Sequence, residues 1–254
     1  MPIYLHHSLR SILGCLALWC LAMQLAVAQN QPLLIGAEDD WAPFSSVENG
    51  RPIGMAVDIV NAIFSEAGLQ VQLVPMPYDR CMKETLSGRL QGCFDTAPDK
   101  QLKRDYLFHA KPLFSDRALI LMRMDNPETK LQLQDLEGHS VIVTSGYTYG
   151  DAFEGNRKIQ HISAIGDINT LRMLKAGNAD HAIVYQRIWK YLSKGKGREL
   201  YGAFKSVGTL SINDLYISFS RQMPHANEVL RKFDTAHARL LKSGAIAKIE
   251  NHWE

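Results

Sequence analysis

Short apolar runs alternate with segments of helical periodicity from residue 33 to the C-terminus, and that alternation limits the chain to an α/β fold with mostly parallel sheets. Leu33–Ala37, Gln70–Pro75 and Leu90–Phe94 read as strands. Residues 56–67 carry Ala56, Ile59, Val60, Ile63 and Phe64 at helical spacing and stop at Gly68. A short helix opens at Tyr78 with Met82 and Leu86 inward and closes at Gly88, and a charged one follows Pro98. Asn49-Gly50 marks a loop or hairpin. Pro112–Met124 reads as one long strand. The second half repeats the order, with strands at Ser140–Thr144, Ile159–Ile162 and Ala182–Val184. Helices are expected through Phe153, from Ile168 to Leu174, and from Ile188 to Leu192, followed by a basic, exposed loop over Ser193–Arg198. Leu215–Ser220 reads as a returning strand, Pro224–Leu241 as a long amphipathic helix and Ala245–Trp253 as a last short one. Two strand–helix series joined by two long crossing strands predict two lobes with a cleft between them. Residues 29–122 and 216–254 form lobe 1, and residues 123–215 form lobe 2.

The N-terminus stands apart from this pattern. His6, His7 and Arg10 precede a nearly uncharged run, Ser11–Val27, and Ala26-Val27-Ala28 fits a small-x-small cleavage site. Residues 1–28 read as a signal peptide directing the chain to the periplasm; the alternative is a retained membrane anchor. The formal net charge is only +2 and there is no Lys/Arg block, so nucleic acid is not an expected partner. Cys15 and Cys20 leave with the leader. Cys81 and Cys93 remain, either as a disulfide or as two buried thiols. The nine histidines show no metal-ligand spacing, and no phosphate-binding or dinucleotide fingerprint occurs. Neither metal nor cofactor is expected.

The residues that carry chemistry gather at predicted strand ends. Glu38-Asp39-Asp40 leads into Trp41-Ala-Pro-Phe44, where Pro43 restricts its neighbour and fixes two aromatics on a rigid turn. Trp41 and Phe44 form either an exposed platform or ordinary core. Asp58 reads as a brace for its own helix. Ser145-Gly-Tyr-Thr-Tyr-Gly150 follows a strand, and Gly146 allows a tight turn there.

Taken together, Trp41-Ala-Pro-Phe44, Gly54-Met-Ala-Val-Asp58-Ile, Ser87-Gly88-Arg-Leu-Gln-Gly92, Phe108-His-Ala-Lys-Pro-Leu-Phe114, Asp135-Leu-Glu-Gly138, Leu174-Lys-Ala-Gly177-Asn-Ala-Asp180 and Leu240-Leu-Lys-Ser-Gly244 resemble a known family. Their order and distances, over nearly the whole mature chain, are similar to the periplasmic solute-binding proteins of ABC transporters, polar amino-acid-binding family (family 3). The resemblance implies a type II periplasmic-binding-protein-like fold whose lobes close on a small polar ligand by hinge bending. Trp41 matches the family's stacking aromatic, with Phe44 beside it, Glu38 an acidic contact and Tyr78 an apolar one. Asp95 and Thr96 fall at a hydroxyl-rich turn. Gly146, Tyr147, Thr148 and Tyr149 match a turn at a helix N-terminus that suits a carboxylate.

Two departures from the family pattern bear on the ligand. The family's carboxylate-binding arginine lies in an element that here reads Thr96-Ala-Pro-Asp-Lys-Gln-Leu-Lys-Arg104, leaving Lys100, Lys103 or Arg104 as the cation. Arg80 is a second anion contact to consider. The aspartate that pairs with an α-ammonium is replaced by Tyr185, which supplies no fixed negative charge. The expected role is binding, without catalysis, by a monomer that delivers solute to an inner-membrane ABC permease. Two other readings stay open: a cyclohexadienyl-dehydratase-like enzyme, with Glu38 or Asp95 as acid and Arg80 or Arg104 on the carboxylate, and a sensor lobe.

Overall fold

A computed structural model describes residues 31–195, 197–200 and 202–253. The leader, with Cys15 and Cys20, lies outside the described residues. The first half runs β1 (Leu33–Glu38), β2 (Asp40–Trp41), β3 (Ser45–Glu48), β4 (Arg51–Ile53), α1 (Met55–Glu66) and β5 (Val71–Met76). It continues with α2 (Tyr78–Leu86), β6 (Gly92–Thr96), α3 (Lys100–Asp105), β7 (Tyr106–Leu107) and β8 (Phe114–Arg123). Then follow β9 (Ser140–Thr144), α4 (Asp151–Glu154), β10 (Gln160–Ala164), α5 (Asp167–Lys175), β11 (His181–Tyr185) and α6 (Gln186–Lys194). The chain closes with β12 (Phe204–Ser220), α7 (Ala226–Ser243) and α8 (Ala245–His252).

Eight strands lie side by side in the order β10-β9-β11-β8-β12-β6-β1-β5, with β7 paired to β12. β1, β5 and β6 are parallel at one end, and β9, β10 and β11 are parallel at the other. Between them β8 and β12 run antiparallel, paired from Phe114–Leu215 to Arg123–Phe204. β12 then passes on to β6 and β7 through Tyr216–Ser220. One strand therefore belongs to both ends of the sheet.

β12 is far longer than the Leu215–Ser220 segment predicted for it. Its first part breaks register between Ser206 and Gly208 and again between Thr209 and Ser211, which hides the period-2 pattern that marks a strand. Gly208 is required there: a Cβ would sit 2.1 Å from the Leu131 carbonyl oxygen. Leu86 was expected inward, but it is exposed, and α2 buries Cys81, Met82 and Thr85 instead. The predicted loop at Ser193–Arg198 is shorter than expected. α6 continues through Lys194, Lys196 lies outside the described residues, and a 3-10 turn begins at Arg198. Asn49 and Gly50, both at positive φ, form the β3–β4 hairpin turn.

α1 fixes the aromatic turn before it. Met55 and Ala56 donate their N–H groups to the carbonyls of Pro43 and Phe44, each at 2.9 Å, so the turn supplies acceptors for the helix's otherwise unpaired first donors. The helix buries Met55, Ala56, Val57, Ile59, Val60, Ile63 and Phe64 against the sheet and α7, where Phe64 meets Phe233 at 5.3 Å. Asp58, on the outer face, accepts a 2.9 Å hydrogen bond from Trp253 Nε1. Arg187 of α6 reaches across to the other end of the molecule. It donates to the Ser115 carbonyl at 2.8 Å and lies 3.7 Å from Glu250 of α8.

Cys81 and Cys93 are joined as a disulfide, with Cα atoms 5.8 Å apart, pinning α2 to β6. Gly36 of β1 makes room for it, since a Cβ there would meet Cys81 Sγ at 2.2 Å. Replacing both cysteines by serine should lower unfolding free energy by about 3 kcal/mol, by the chain-entropy argument for a short loop. Urea denaturation checks this, and a mass gain of two hydrogen atoms on reduction of the native chain checks the bridge.

Candidate ligand-binding site

The carboxyl ends of β1, β6, β9 and β11 converge, and candidate side chains sit on those ends, the place where ligands of open α/β sheets generally bind. They enclose a cavity of about 20 Å³. Glu38, Trp41, Tyr78 and Asp95 line it from one end of the sheet. Gly146, Tyr147, Thr148 and Tyr185 line it from the other, and Ala97 and Leu215 complete the wall. These include eight of the residues anticipated as ligand contacts. Trp41 joins the two sides: its ring lies 5.6 Å from Tyr147 and 5.8 Å from Tyr185, edge-on to both. Its indole N–H has no partner.

Tyr185 is committed to the frame. Its hydroxyl donates to the Thr148 carbonyl at 2.9 Å and accepts from Asn213 Nδ2 at 2.9 Å, leaving the ring face for the cavity. Tyr78 donates to Thr96 Oγ1 at 3.3 Å, and Ser218 donates to the same oxygen at 2.8 Å. Thr96 thus braces the site from behind. Burial raises the phenols of Tyr78, Tyr147, Tyr149 and Tyr185, so all four remain neutral hydrogen-bonding groups at ordinary pH.

Asp95 is held in an unusual place. Across the β6–β12 ladder Cys93 opposes Ser218 and Thr96 opposes Tyr216, so β6 carries one extra residue, and Asp95 takes φ 71° within this bulge. Aspartate tolerates that left-handed conformation. The residue is 6% exposed, and neither carboxyl oxygen has a hydrogen-bond partner. Burial pushes its carboxyl well above the usual range. Glu38 is raised too, by burial and then by the nearby charges of Asp95 and Asp167.

Asp167, at the start of α5, had no place among the expected site residues. It is buried behind Tyr147, accepts from Thr144 Oγ1 at 2.9 Å, and is pushed up to about 6 by burial. A lone carboxylate opening a helix resembles an ordinary N-terminal acid. Only the fold brings it beside Glu38.

The remaining anticipated residues lie outside the cavity. Phe44 is fully buried and stacks on Phe114 at 4.9 Å. Tyr149 is buried against Tyr185 at 5.8 Å, and its hydroxyl accepts from the Thr144 N–H at 3.1 Å. The Arg80 side chain is 70% exposed and turned to Glu84 at 3.9 Å. Arg104 is hydrogen-bonded to Gln101, and its carbonyl accepts from Arg221. Lys103 and Lys100 line a larger adjoining cleft of about 700 Å³, which meets the inner cavity at Ala97 and Thr148. Asp99, Asp151, Glu154 and Asp214 line that cleft as well. The expected anion-binding helix start is also altered. α4 begins only at Asp151, and the N–H groups of Tyr147 and Tyr149 are taken by the Thr144 carbonyl and Glu154. Among the described residues, no group of three or more His, Cys, Asp or Glu side chains is placed to hold a metal ion.

Residues 33–254 match the family described as bacterial extracellular solute-binding proteins, family 3. The chain belongs to that family. Solved structures agree on the fold of this solute-binding protein. A histidine kinase sensor domain with similarity to periplasmic binding proteins superposes with TM-score 0.74 at 21% identity, covering 88% of this chain and 96% of the other. An ancestral arginine-binding protein bound to arginine gives 0.72 at 24%, covering 87% and 97%. The arginine-, lysine-, histidine-binding protein ArtJ from Geobacillus stearothermophilus gives 0.71 at 19%, covering 88% and 95%. The fold is therefore the two-lobed periplasmic-binding-protein architecture, and in this solute-binding protein the cavity is lined from both parallel-stranded ends of the sheet.

Asp167 makes the site's cost measurable. Its folded-state pKa of about 6 lies above the usual 3.8, so in that window the folded chain binds the extra proton and stability falls as pH rises. Relative to Asp167→Asn, the wild-type chain should lose about 3 kcal/mol between about pH 3 and pH 7, most of it from about pH 4 to pH 6, and change little above that. Urea denaturation of both proteins across that range checks the slope.

Proposed function

We propose that this solute-binding protein captures a small polar solute between its lobes in the periplasm and presents the closed form to an ABC-type permease. The observation that carries the reading is a cavity walled equally by both lobes, with Trp41 touching Tyr147 and Tyr185 across it. A ligand seated there contacts both walls, so its binding energy favours closure. We take lobe 1 as residues 29–122 with 216–254 and lobe 2 as 123–215. β8 is the strand that crosses from one lobe to the other, and its Ala118–Leu121 stretch pairs with β11. Residues 1–28 serve as the leader, and a mature N-terminus at Gln29 on the exported protein tests that assignment.

Amino-acid transport is consistent with the relatives, among them the substrate-binding protein of an amino acid ABC transporter. Catalysis as a dehydratase fits less well. Such a substrate carries two carboxylates, whereas Glu38 and Asp95 line the inner cavity and no Lys or Arg does. Arg80 and Arg104, the cations that role would need, point elsewhere. The sensor-domain relative leaves signalling as the second reading, with the same cavity and a different receiver.

A bound solute should quench or shift the fluorescence of Trp41. The change should vanish in Trp41→Phe, with roughly tenfold weaker binding, and persist in Trp189→Phe. A solute panel that leaves both fluorescence and melting temperature unmoved argues against capture.

A further inference from the structure

We propose that the solute is an organic cation bearing N–H donors and needing no carboxylate, an alkylamine or guanidine whose charged head sits between Asp95 and Glu38. The inference rests on the solute-capture reading and specifies its ligand class.

The first observation is Asp95 itself. A buried carboxylate is normally paired or hydrogen-bonded, because leaving it bare costs several kcal/mol. Asp95 lines the cavity with both oxygens unpartnered, and a bulge with positive φ turns it there. Unpartnered acceptors are satisfied by a donor from the ligand, and an N–H-bearing cation supplies both donor and charge. The second observation is independent. The aromatic rings of Trp41, Tyr147 and Tyr185 form the opposite walls, and a cation beside such rings gains a further attraction.

The third concerns the approach. The adjoining cleft carries Asp99, Asp151, Glu154 and Asp214 against Lys100 and Lys103, so the acids outnumber the bases there as well. A cleft with an excess of one sign focuses the field and concentrates ligands of the opposite charge. Features that would hold a carboxylate are weakened: Arg80 and Arg104 lie outside both cavities, and two amides of the second-lobe turn are already bonded. An amine with no carboxylate therefore fits this cleft better than the amino acid from which it could be formed.

Matched pairs test the idea: cadaverine against lysine and agmatine against arginine, with glutamine and succinate as zwitterionic and anionic controls. Calorimetry and thermal shift on the mature protein read the outcome. The amines should bind roughly tenfold more tightly than their amino acids, and Asp95→Asn should weaken amine binding at least as much, roughly tenfold or more. Asparagine keeps the shape and tolerates the positive φ, so the unliganded melting temperature should hold or rise, which a merely structural role would not allow. Glu38→Gln provides the second variant if the first fails to fold, with the same expected loss. If lysine, arginine, glutamine or succinate binds as well as the amines or better, the cation assignment falls while solute capture stands. Unchanged amine affinity in the foldable variant overturns it too. If no probe of any charge binds, both readings fall.

Discussion

The antiparallel ladder between β8 and β12 is the constraint on which everything else depends. It is the seam along which two parallel sheets, each with its own helices, are hydrogen-bonded into one order of strands. Because β12 continues from that seam into β6, the position of the Asp95 bulge is tied to the register of the same strand. The strand ends of the two lobes consequently face one another, and residues far apart in sequence become opposite walls. Trp41 against Tyr147 and Tyr185 is a product of that seam rather than of any local preference.

The site is assembled against the ordinary preferences of a protein interior. Three carboxyl groups, Glu38, Asp95 and Asp167, are buried close together, and each is driven toward protonation. A structure tolerates such groups only where the surrounding frame is rigid enough to hold them. Here the frame is explicit: the disulfide behind β6, the Thr96–Ser218–Tyr78 hydrogen bonds, and the Tyr185 hydroxyl clamped between Thr148 and Asn213. The cost is concentrated in and just behind the walls of the cavity. Elsewhere charges pair on the surface, as Glu228 does with Lys232, and such pairs contribute little.

Much of this was legible in the sequence. The strand Ser140–Thr144 and the helix beginning near Met55 follow from periodicity and glycine stops, and Cys81 with Cys93 follows from an even cysteine pair. That Glu38, Trp41, Tyr78, Asp95, Tyr147 and Tyr185 meet at one cavity accords with what the family resemblance implies for them, several lying on turns just after strands. What remained hidden is a matter of direction. Arg80 and Arg104 stand near site residues in sequence, but helix geometry turns them outward. Leu86 is apolar yet faces solvent. Asp167 needs a chain separation of more than a hundred residues to be folded away before it meets Glu38. The early part of β12 escaped because its register breaks erase the alternation.

The hydrogen bond from Trp253 to Asp58 joins residues 195 positions apart, at the last helix and the first. Its consequence is temporal. α7 and α8 pack on α1 from far along the chain, so the three helices meet only after the segments between them have been made. The strands β9, β10 and β11 follow one another closely along the chain, whereas α1 waits for helices that come much later. Until those later segments have been made, the buried face of α1 lacks the helices that cover it.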